Sequence, residues 1–314
     1  MKLDHNFSLE AVRVAEAAAI ASYDWIGHGD EHAADQAAVN AMRIELNKMM
    51  IDGTVVIGEG ERDKAPMLYI GEKVGISGPQ IDIALDPLEG TTICATAGSG
   101  SMAVIAFASH GGFLHAPDLY MDKIAVGGIS QEGIIDLDNS PSQNLKNIAK
   151  AKNIQVSDLI VTILKRERHA ELIAQVREAG ARVKLIGDGD VAAVINAATS
   201  NFDVYMGTGG APEGVLAAAA LASIGGQMMG RLIFSSDADK ERATKMNIID
   251  FNRQYQVKDM ARGEVIFAAT GVTDGALLEG VHKFKDHYTT NSIVMHSASK
   301  TVRNIKTQHS LLRL

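Results

Sequence analysis

Two carboxylates stand three residues apart where an alternating apolar stretch meets a proline. Residues 82–91 read DIALDPLEGT, so Asp86 and Glu89 flank a rigid turn, and the hydroxyl of Thr91 follows directly. Magnesium and manganese prefer oxygen ligands, and two carboxylates with a backbone carbonyl hold such an ion while leaving positions for phosphate and water. The segment therefore predicts a divalent-cation site at the end of a strand over residues 81–85.

Two further acidic residues lie early in the chain, at predicted element boundaries. Glu59 follows a β-branched run over residues 54–57, within the sequence GEGE at 58–61. A solvated turn explains that sequence as well as a metal ligand does. Asp35 directly precedes a helical pattern over residues 39–49, where an acidic residue commonly caps a helix N-terminus. From the residues alone, a structural role stays open at both positions.

A glycine-rich segment precedes an alanine-rich helix in the second half of the chain. Residues 207–214 read GTGGAPEG. Backbone amides of such a loop at a helix N-terminus form an anion site. The carboxylate of Glu213 suits that site only if a cation is bound as well, because it would otherwise repel an anionic substrate.

Charged residues also follow two successive predicted strands. The sequence RERH at 166–169 comes after a strand over 159–164, and DGD at 188–190 comes after a strand over 183–186. Because the carboxyl ends of parallel strands lie at one edge of a sheet, where crevices form, these segments favour a substrate pocket. The alternative for Arg166 and Glu167 is ordinary capping of element ends by charged side chains.

The elements that position these residues differ between the two halves of the chain. The first half begins with helices over residues 9–26 and after Asp35, and its strands have no long helix between them, which predicts a largely antiparallel sheet. The predicted strands cover residues 54–57, 81–85, 102–108, 118–126 and 134–137.

After a helix that begins with Ser140 as its cap and Pro141 at its first position, strands and helices alternate. Such alternation predicts parallel strands with helical crossovers. We therefore expect an α/β (α+β) fold of two domains, residues 1–155 and 156–314. The polar stretch 235–262 is interpreted only as a surface excursion. The remaining predicted elements are helices over 168–179, after 190 and from 214, and strands over 204–206 and 265–268.

Composition and charge exclude several classes of partner. The 314 residues carry a formal net charge of -8, which disfavours nucleic acid as a partner. The sequence contains no run of 18 apolar residues that would predict a membrane span. Its first residues lack the apolar stretch of a signal peptide. The lone Cys94 suits a reducing compartment. We expect a cytoplasmic protein with no membrane partner.

Five segments, in order along essentially the whole chain, resemble class II fructose-1,6-bisphosphatases. DPLEGT at 86–91 is similar to the motif Asp-Pro-Ile/Leu-Asp-Gly-Thr/Ser of the lithium-sensitive, metal-dependent sugar and inositol phosphatases, and Glu89 in place of the usual Asp is typical of class II. The resemblance implies the sugar-phosphatase fold, a layered αβαβα sandwich with an N-terminal metal-binding phosphatase domain and a C-terminal substrate-binding domain. The other similar segments are AAD with VNAMR within 33–43, GEGERDKAPMLYIGE at 58–72, RERH with DGD, and GGAPEG at 209–214.

The resemblance implies a ligand set for two or more Mn²⁺ or Mg²⁺ ions. It also implies that Thr91 orients the attacking water and that Asp63, as its partner, takes up the proton. The implied metal ligands are Asp35, Glu59, Asp86, Glu89 and Glu213.

The resemblance further implies contacts with a small-molecule sugar bisphosphate. At the family's Lys-Pro-Arg-His segment this chain has Arg166 and Glu167 in the first two positions, whereas Arg168 keeps the family's arginine. Tyr120 matches a family contact, although a strand tyrosine is more often a core residue. The implied substrate contacts are Glu89, Gly90, Thr91, Tyr120, Arg166, Glu167, Arg168, Asp188, Gly189, Asp190 and Gly210.

The expected activity is hydrolysis of the 1-phosphate of D-fructose 1,6-bisphosphate in gluconeogenesis. A dual fructose/sedoheptulose bisphosphatase or an inositol monophosphatase-like enzyme would share the metal site and differ in the substrate pocket. A regulator that binds sugar phosphate on a phosphatase fold is the non-enzyme alternative. The family also suggests a homodimer or homotetramer.

Overall fold

A computed structural model describes residues 3, 5–60, 67–129, 131–199 and 202–311. No helix within these residues has the length and apolar character needed to cross a membrane. In the first part of the chain the elements are α1 (Phe7–Tyr23), α2 (Glu31–Leu46), β1 (Asp52–Ile57), β2 (Lys73–Val74), β3 (Gln80–Glu89), α3 (Thr91–Ala95), β4 (Met102–Ser109), β5 (Tyr120–Val126) and α4 (Pro141–Lys152). They continue with β6 (Ile160–Leu164), α5 (Ala170–Glu178), β7 (Arg182–Ile186), α6 (Asp190–Ala198), β8 (Val204–Gly210), α7 (Ala211–Ile224), β9 (Gln227–Ile233), α8 (Asp237–Lys245), β10 (Tyr255–Gln256), α9 (Val257–Met260), β11 (Val265–Gly271), β12 (His282–Lys283), β13 (His287–His296) and β14 (Thr301–Ser310).

The chain forms two compact units whose bounds differ from the predicted domains. The first unit comprises Met1–Leu114 and Arg262–Leu314, and the second comprises His115–Ala261. The boundary expected at 155 is therefore displaced, and the C-terminal segment belongs with the N-terminal one. The reason is strand pairing, because β11 runs antiparallel to β4 through seven residue pairs and β13 then pairs with β11.

The first unit contains a largely antiparallel sheet, as predicted. Its strand order is β12–β13–β11–β4–β3–β1–β2, with β14 paired to β13. Only the pair β1–β3 is parallel among the pairs of this sheet in the described part of the chain. The alanine-rich helix α1 packs against α2 and against the central strands, where its small side chains allow close approach to a core of Ile, Val and Phe residues.

Strand β3 extends past the point where Pro87 was predicted to end it. The strand continues to Glu89, and a bulge lies between Asp86, which pairs with Val104, and Glu89, which pairs with Met102. Proline lacks a backbone N–H and is tolerated in a sheet at a bulge, where the ladder is interrupted. The predicted break is thus a local irregularity within a longer strand.

The second unit contains a mixed sheet with the order β10–β9–β5–β8–β6–β7. Strands β6, β7 and β8 are parallel, as the alternating pattern predicts. Strand β5 is antiparallel to both β8 and β9, so this strand lies in the second sheet rather than in the first, where it was predicted. The sequence of β5 does not show which of the two sheets the strand joins, because its pairing partners are distant in sequence.

Several other elements differ from the sequence predictions. Residues 134–137 form no strand, although Ile134 and Ile135 are buried in the core of the second unit. The stretch 235–262 contains α8, β10 and α9 rather than one irregular excursion.

The cap of α4 is confirmed, because the Ser140 side chain accepts a hydrogen bond from the amide of Gln143 at 3.2 Å. The two sheets with their packed helices confirm the α/β class.

Candidate functional site

Asp35 lies in the second turn of α2, not at its N-terminus. The capping residue is Asp30, whose side chain accepts a hydrogen bond from the amide of Ala33 at 2.9 Å. The capping role considered for Asp35 is therefore wrong, and its carboxylate is not occupied at the helix end. Burial raises the pKa of Asp35, with a smaller opposing effect from His32. A nearby cation would stabilise the charged form of such a half-buried carboxylate.

Glu59 follows β1 in a tight segment rather than a loose surface turn. Its amide donates to the carbonyl of Leu68 at 3.0 Å, and the amide of Ile70 donates to Gly60 at 2.9 Å. Gly58 leaves room for this return, because a β-carbon there would lie 2.6 Å from a methyl of Val55 and would overlap the Leu68 carbonyl. Asp63, predicted to accept a proton, lies outside the described residues.

Asp86 and Glu89 occupy the bulge of β3. Asp86 accepts a hydrogen bond from the amide of Leu88 at 3.1 Å, and the backbone carbonyl of Glu89 accepts one from the hydroxyl of Ser101 at 2.9 Å. The Glu89 residue is 4% exposed. Both residues lie at the carboxyl-terminal end of β3, as the spacing predicts, and the bulge interrupts the regular alternation of side chains there.

Gly90 and Thr91 begin the short helix α3. Gly90 caps it with a left-handed backbone, φ 78° and ψ 52°, which favours glycine. At the other end of the helix, the carbonyls of Cys94 and Ala95 accept hydrogen bonds from the amides of Gly27 and Gly29. The loop that leads into α2 is thereby attached to α3. The backbone that carries Asp35 and the backbone that carries Thr91 are held together within the first unit.

Arg43 and Glu72 form a second link in this unit, which the sequence analysis did not identify as functional. The Nε atom of Arg43 on α2 lies 2.6 Å from the carboxylate of Glu72, whose backbone carbonyl accepts from the amide of Val55. Glu72 is 5% exposed. The pair joins α2 to the segment that returns beside Glu59. No spacing rule connects residues 43 and 72, so only a structure reveals the pair.

Tyr120 and Arg168 meet on the second unit. Tyr120, at the start of β5, is 52% exposed, so the core role considered for it is wrong. The guanidinium of Arg168 lies over its ring at 4.9 Å and donates two hydrogen bonds to the carbonyl of Thr208, at 2.9 and 3.2 Å. The stacking and the hydrogen bonds orient a cation at the end of β8.

Arg166 and Asp188 lie together after the parallel strands β6 and β7, as the sequence predicts. The guanidinium of Arg166 donates to the carbonyl of Gly187 and lies 3.8 Å from the carboxylate of Asp188. Glu167 is exposed and begins a 3-10 turn. Gly189 caps α6 with φ 86°. These residues share one edge of the sheet, directly after the carboxyl ends of β6 and β7.

Lys123 is a buried lysine that the sequence analysis missed. It is 2% exposed, and its ammonium group contacts the carboxylate of Asp190 and donates to the carbonyl of Gly210 at 2.8 Å. The hydroxyl of Tyr205 also donates to Asp190, at 3.3 Å. A buried ammonium is costly unless it is paired, so the pairing with Asp190 is what makes its burial tolerable. Asp190 is therefore engaged within the protein.

Glu213 lies beside this buried cluster, in the first turn of α7. Burial and the charge of Asp190 raise the pKa of Glu213 to about 7, with Lys123 opposing the shift. Its Oε2 atom is buried and makes no hydrogen bond within the described residues. A carboxylate with a raised pKa and an unsatisfied buried oxygen is arranged to gain from a cation.

The glycines at 207–210 end strand β8 and form no loop, so the predicted glycine-rich loop is wrong. These glycines make room for the charged groups. A β-carbon at Gly209 would lie 2.9 Å from the Lys123 ammonium and would overlap the carboxylate of Asp190. One at Gly210 would overlap the carboxylate of Glu213. The backbone at Gly210 is ordinary, with φ -65°, so space rather than conformation requires glycine there.

The donor set fits a hard divalent cation by its chemistry. Every predicted ligand is a carboxylate, and manganese and magnesium prefer oxygen. The orphaned Oε2 of Glu213 and the raised pKa of Asp35 support this fit. Across the described residues, however, no three His, Cys, Asp or Glu side chains are grouped closely enough to form a ready metal site. The ligand set therefore stays a prediction.

Comparisons with known proteins agree over nearly the whole chain. The family model described as bacterial fructose-1,6-bisphosphatase, glpX-encoded, matches residues 5–309. Fructose-1,6-bisphosphatase 1 class 2 of Escherichia coli K12 is 45% identical over 324 residues, covering 98% of this chain and 96% of that protein. The D-fructose 1,6-bisphosphatase class 2/sedoheptulose 1,7-bisphosphatase of Thermosynechococcus vestitus is 43% identical over 336 residues, with 98% and 96% covered.

A solved inositol monophosphatase from Anabaena is similar over 64% of this chain and 73% of that chain, with a TM-score of 0.34 and 15% identity, values too low to carry an argument. The family match and the sequence relatives need no such support, because they cover nearly every residue. The chain therefore belongs to the family of bacterial, glpX-encoded fructose-1,6-bisphosphatases, the class 2 enzymes, and is a phosphatase.

Proposed function

We propose that this phosphatase removes the 1-phosphate of D-fructose 1,6-bisphosphate, giving D-fructose 6-phosphate and inorganic phosphate, with Mn²⁺ or Mg²⁺ as its cofactor. The substrate is proposed from family membership, since the relatives are 43–45% identical over 98% of the chain. The chemistry of the carboxylates supports the metal requirement.

The proposed ligands of two or more ions are Asp35, Glu59, Asp86, Glu89 and Glu213. A bound divalent cation supplies charge neutralisation at the phosphoryl oxygens and an acidified water. Asp86 and Glu89 flank the bulge of β3, and hydrogen bonds of Gly27 and Gly29 to α3 attach the loop that leads into α2, the helix of Asp35. Glu213 presents an oxygen for which the described part of the protein provides no hydrogen-bond donor.

Thr91 is proposed to orient the attacking water through its hydroxyl oxygen. Thr91 is the first residue of α3 and directly follows the left-handed Gly90. Asp63 is proposed to receive the proton of that water. Because uncatalysed hydrolysis of phosphate monoesters is extremely slow, positioning and charge neutralisation must supply most of the rate enhancement.

Side chains of the second unit are proposed to contact the sugar phosphate. The guanidinium of Arg168 is held over the exposed ring of Tyr120 by its hydrogen bonds to Thr208. The guanidinium suits a phosphate oxygen, and the tyrosine ring suits the face of a sugar. Arg166 adds a second guanidinium after the neighbouring strand. The full proposed contact set is Glu89, Gly90, Thr91, Tyr120, Arg166, Glu167, Arg168, Asp188, Gly189, Asp190 and Gly210.

Sedoheptulose 1,7-bisphosphate is the second candidate substrate, favoured by the names of the cyanobacterial relatives. An inositol monophosphatase-like activity is a third candidate, and a regulator without activity is the non-enzyme candidate. We further propose a cytoplasmic, gluconeogenic role and a homodimer or homotetramer. Sedimentation equilibrium of the purified protein tests the oligomeric state.

Phosphate release from three esters tests the function. Fructose 1,6-bisphosphate, sedoheptulose 1,7-bisphosphate and inositol 1-phosphate are each assayed with Mn²⁺, with Mg²⁺ and with a chelator. Metal-dependent release chiefly from the fructose ester supports the proposal. Preference for another ester changes the substrate while keeping the metal chemistry, and release that persists at full rate in chelator contradicts the metal requirement. Binding without release from any ester favours the regulator.

A further inference from the structure

The imidazole of His169 bridges two parallel strands at the point where their pairing ends. Strands β6 and β8 pair at Val161–Val204 and at Thr162–Tyr205. Beyond those pairs, the carbonyl of Leu164 on β6 lies 2.7 Å from Nδ1 of His169, and the amide of Thr208 on β8 donates to Nε2 at 2.8 Å. The side chain thus replaces the direct strand-to-strand hydrogen bonds.

These two contacts fix the form of the ring. A carbonyl only accepts, so Nδ1 carries the proton and donates to Leu164, while Nε2 is bare and accepts from Thr208. His169 is 2% exposed. A buried ring that uses both nitrogens on backbone groups of two strands has one allowed orientation.

The neighbouring backbone is shaped around this ring. Gly207 has φ +148°, a conformation that side chains rarely adopt, and a β-carbon there would lie 3.1 Å from Nε2 of His169. The ring also lines a pocket of about 270 Å³ together with Arg168, Asp122 and Thr208. The carboxyl ends of diverging parallel strands are where α/β proteins bind ligands, and the ring lies at such a place.

Arg168 is positioned by contacts near the His169 bridge between β6 and β8. Arg168 directly precedes His169 in the chain, and its guanidinium donates to the carbonyl of Thr208, the same residue whose amide donates to the imidazole. The hydroxyl of Thr208 in turn donates to the carboxylate of Asp122 on β5, two residues from Tyr120. The distance between the Arg168 loop and the end of β8 is therefore set by the width of one imidazole ring.

We propose that His169 is a positioning residue for substrate binding, which holds the Arg168 guanidinium over Tyr120 by spacing β6 from β8. The proposal rests on the proposed function in one respect, that Arg168 contacts the sugar bisphosphate. His169 acts through Arg168, because backbone groups of Leu164 and Thr208 engage both of its ring nitrogens. Its loss should weaken substrate binding and leave the chemical step nearly intact.

Two substitutions separate the two hydrogen bonds. In His169→Gln the amide group reaches the place of Nε2 and can accept from Thr208, whereas in His169→Asn it reaches the place of Nδ1 and can donate to Leu164. His169→Leu removes both. Because Arg168 is attached to Thr208, we expect KM for fructose 1,6-bisphosphate to increase in the order wild type, Gln, Asn, Leu. The increase in the Leu variant should be on the order of tenfold, with kcat within about twofold.

The control is His282→Gln, which changes an exposed histidine of the first unit and should leave KM and kcat as in the wild type. A structural defect alone would lower the active fraction, so kcat would fall and KM would stay constant. That result, or an Asn variant closer to wild type than the Gln variant, overturns the proposal. An active wild type with these KM values unchanged overturns it while leaving the proposed function intact.

Hydrogen exchange supplies a readout that needs no activity. The amide of Thr208 should be protected in the wild type and in His169→Gln, and should exchange at least tenfold faster in His169→Leu, because its acceptor is gone. Equal protection in all three proteins contradicts the bridge even if no ester is hydrolysed. An inactive wild type that still shows the expected exchange contradicts the proposed function, and with it the role in substrate binding.

Discussion

The carboxylate of Glu213 occupies the space that a side chain at Gly210 would fill. A β-carbon built on Gly210 would lie 2.7 Å from Cδ of Glu213 and would overlap its Oε2. The two residues are three positions apart across the start of α7, so the first turn of the helix folds the carboxylate back toward the strand that precedes it. Glycine at 210 is therefore part of what orients Glu213.

Gly210→Ala should displace the Glu213 carboxylate. We expect a loss of stability of about 1–3 kcal/mol from overpacking and a fall of at least tenfold in affinity for Mn²⁺. Denaturant unfolding and Mn²⁺ titration by electron paramagnetic resonance measure the two effects. The matched control is Gly187→Ala in the same unit, where a β-carbon meets nothing within 4 Å. Equal unfolding midpoints for the two variants would contradict the steric argument.

Lys123→Met should destabilise the protein by about 3–5 kcal/mol, because it leaves the buried carboxylate of Asp190 without its ammonium partner. The double variant Lys123→Met/Asp190→Asn removes both charges and should recover more than half of the loss. Unfolding in guanidinium, monitored by circular dichroism, gives both values.

The surface pair Lys73–Asp52 provides the comparison for Lys123. Its side chains are 63% and 42% exposed at a separation of 3.2 Å. Exposed pairs contribute about 0–1 kcal/mol, so Lys73→Met should change stability little. If the two lysine variants are destabilised equally, burial does not strengthen the Lys123–Asp190 pair.

The pH dependence of stability in the metal-free protein should report Glu213. Its pKa is about 7 in the folded protein against an ordinary value of 4.5, so the folded state keeps a proton that the unfolded state loses. The resulting stabilisation is present below pH 4.5 and is lost as the pH rises through about 7, an effect on the order of 3 kcal/mol.

Glu213→Gln isolates that effect, because the amide does not titrate. With chelator present, the Gln variant should gain stability relative to the wild type between pH 5 and pH 8. Added Mn²⁺ should stabilise the wild type at pH 8 and should have a smaller effect on the variant. Parallel stability curves for the two proteins would show that Glu213 keeps an ordinary pKa.

Glu89→Gln should cost much more activity than Tyr120→Phe. The first change removes a buried carboxylate at the β3 bulge that is proposed to bind both metal and substrate, and kcat should fall by about a hundredfold or more. The second keeps the exposed ring beneath Arg168, and the change in KM should stay below about tenfold. Steady-state kinetics at saturating Mn²⁺ compares them, and near-normal turnover of Glu89→Gln would remove Glu89 from the ligand set.

Local sequence determined the residues that carry the proposed chemistry. Asp86 and Glu89 lie at the end of β3 with Thr91 just beyond it, and Glu213 lies in the first turn of α7 after the glycines that end β8. Turn and cap signals of this kind depend on residues only a few positions apart. The same local rules correctly predicted α4, its Ser140 cap and the alternating elements from 160 to 224. The α/β class was predictable for the same reason.

Tertiary structure alone decided which strands pair and which polar groups are buried together. The return of β11 to β4, the place of β5 in the second sheet, and the exposure of Tyr120 depend on partners far apart in the sequence. Lys123 with Asp190 and His169 with Thr208 likewise join positions 67 and 39 residues apart. Short-range sequence patterns determine which face of a helix or strand a side chain occupies. Which strands pair, and which side chains are buried, depends on the packing of the whole chain.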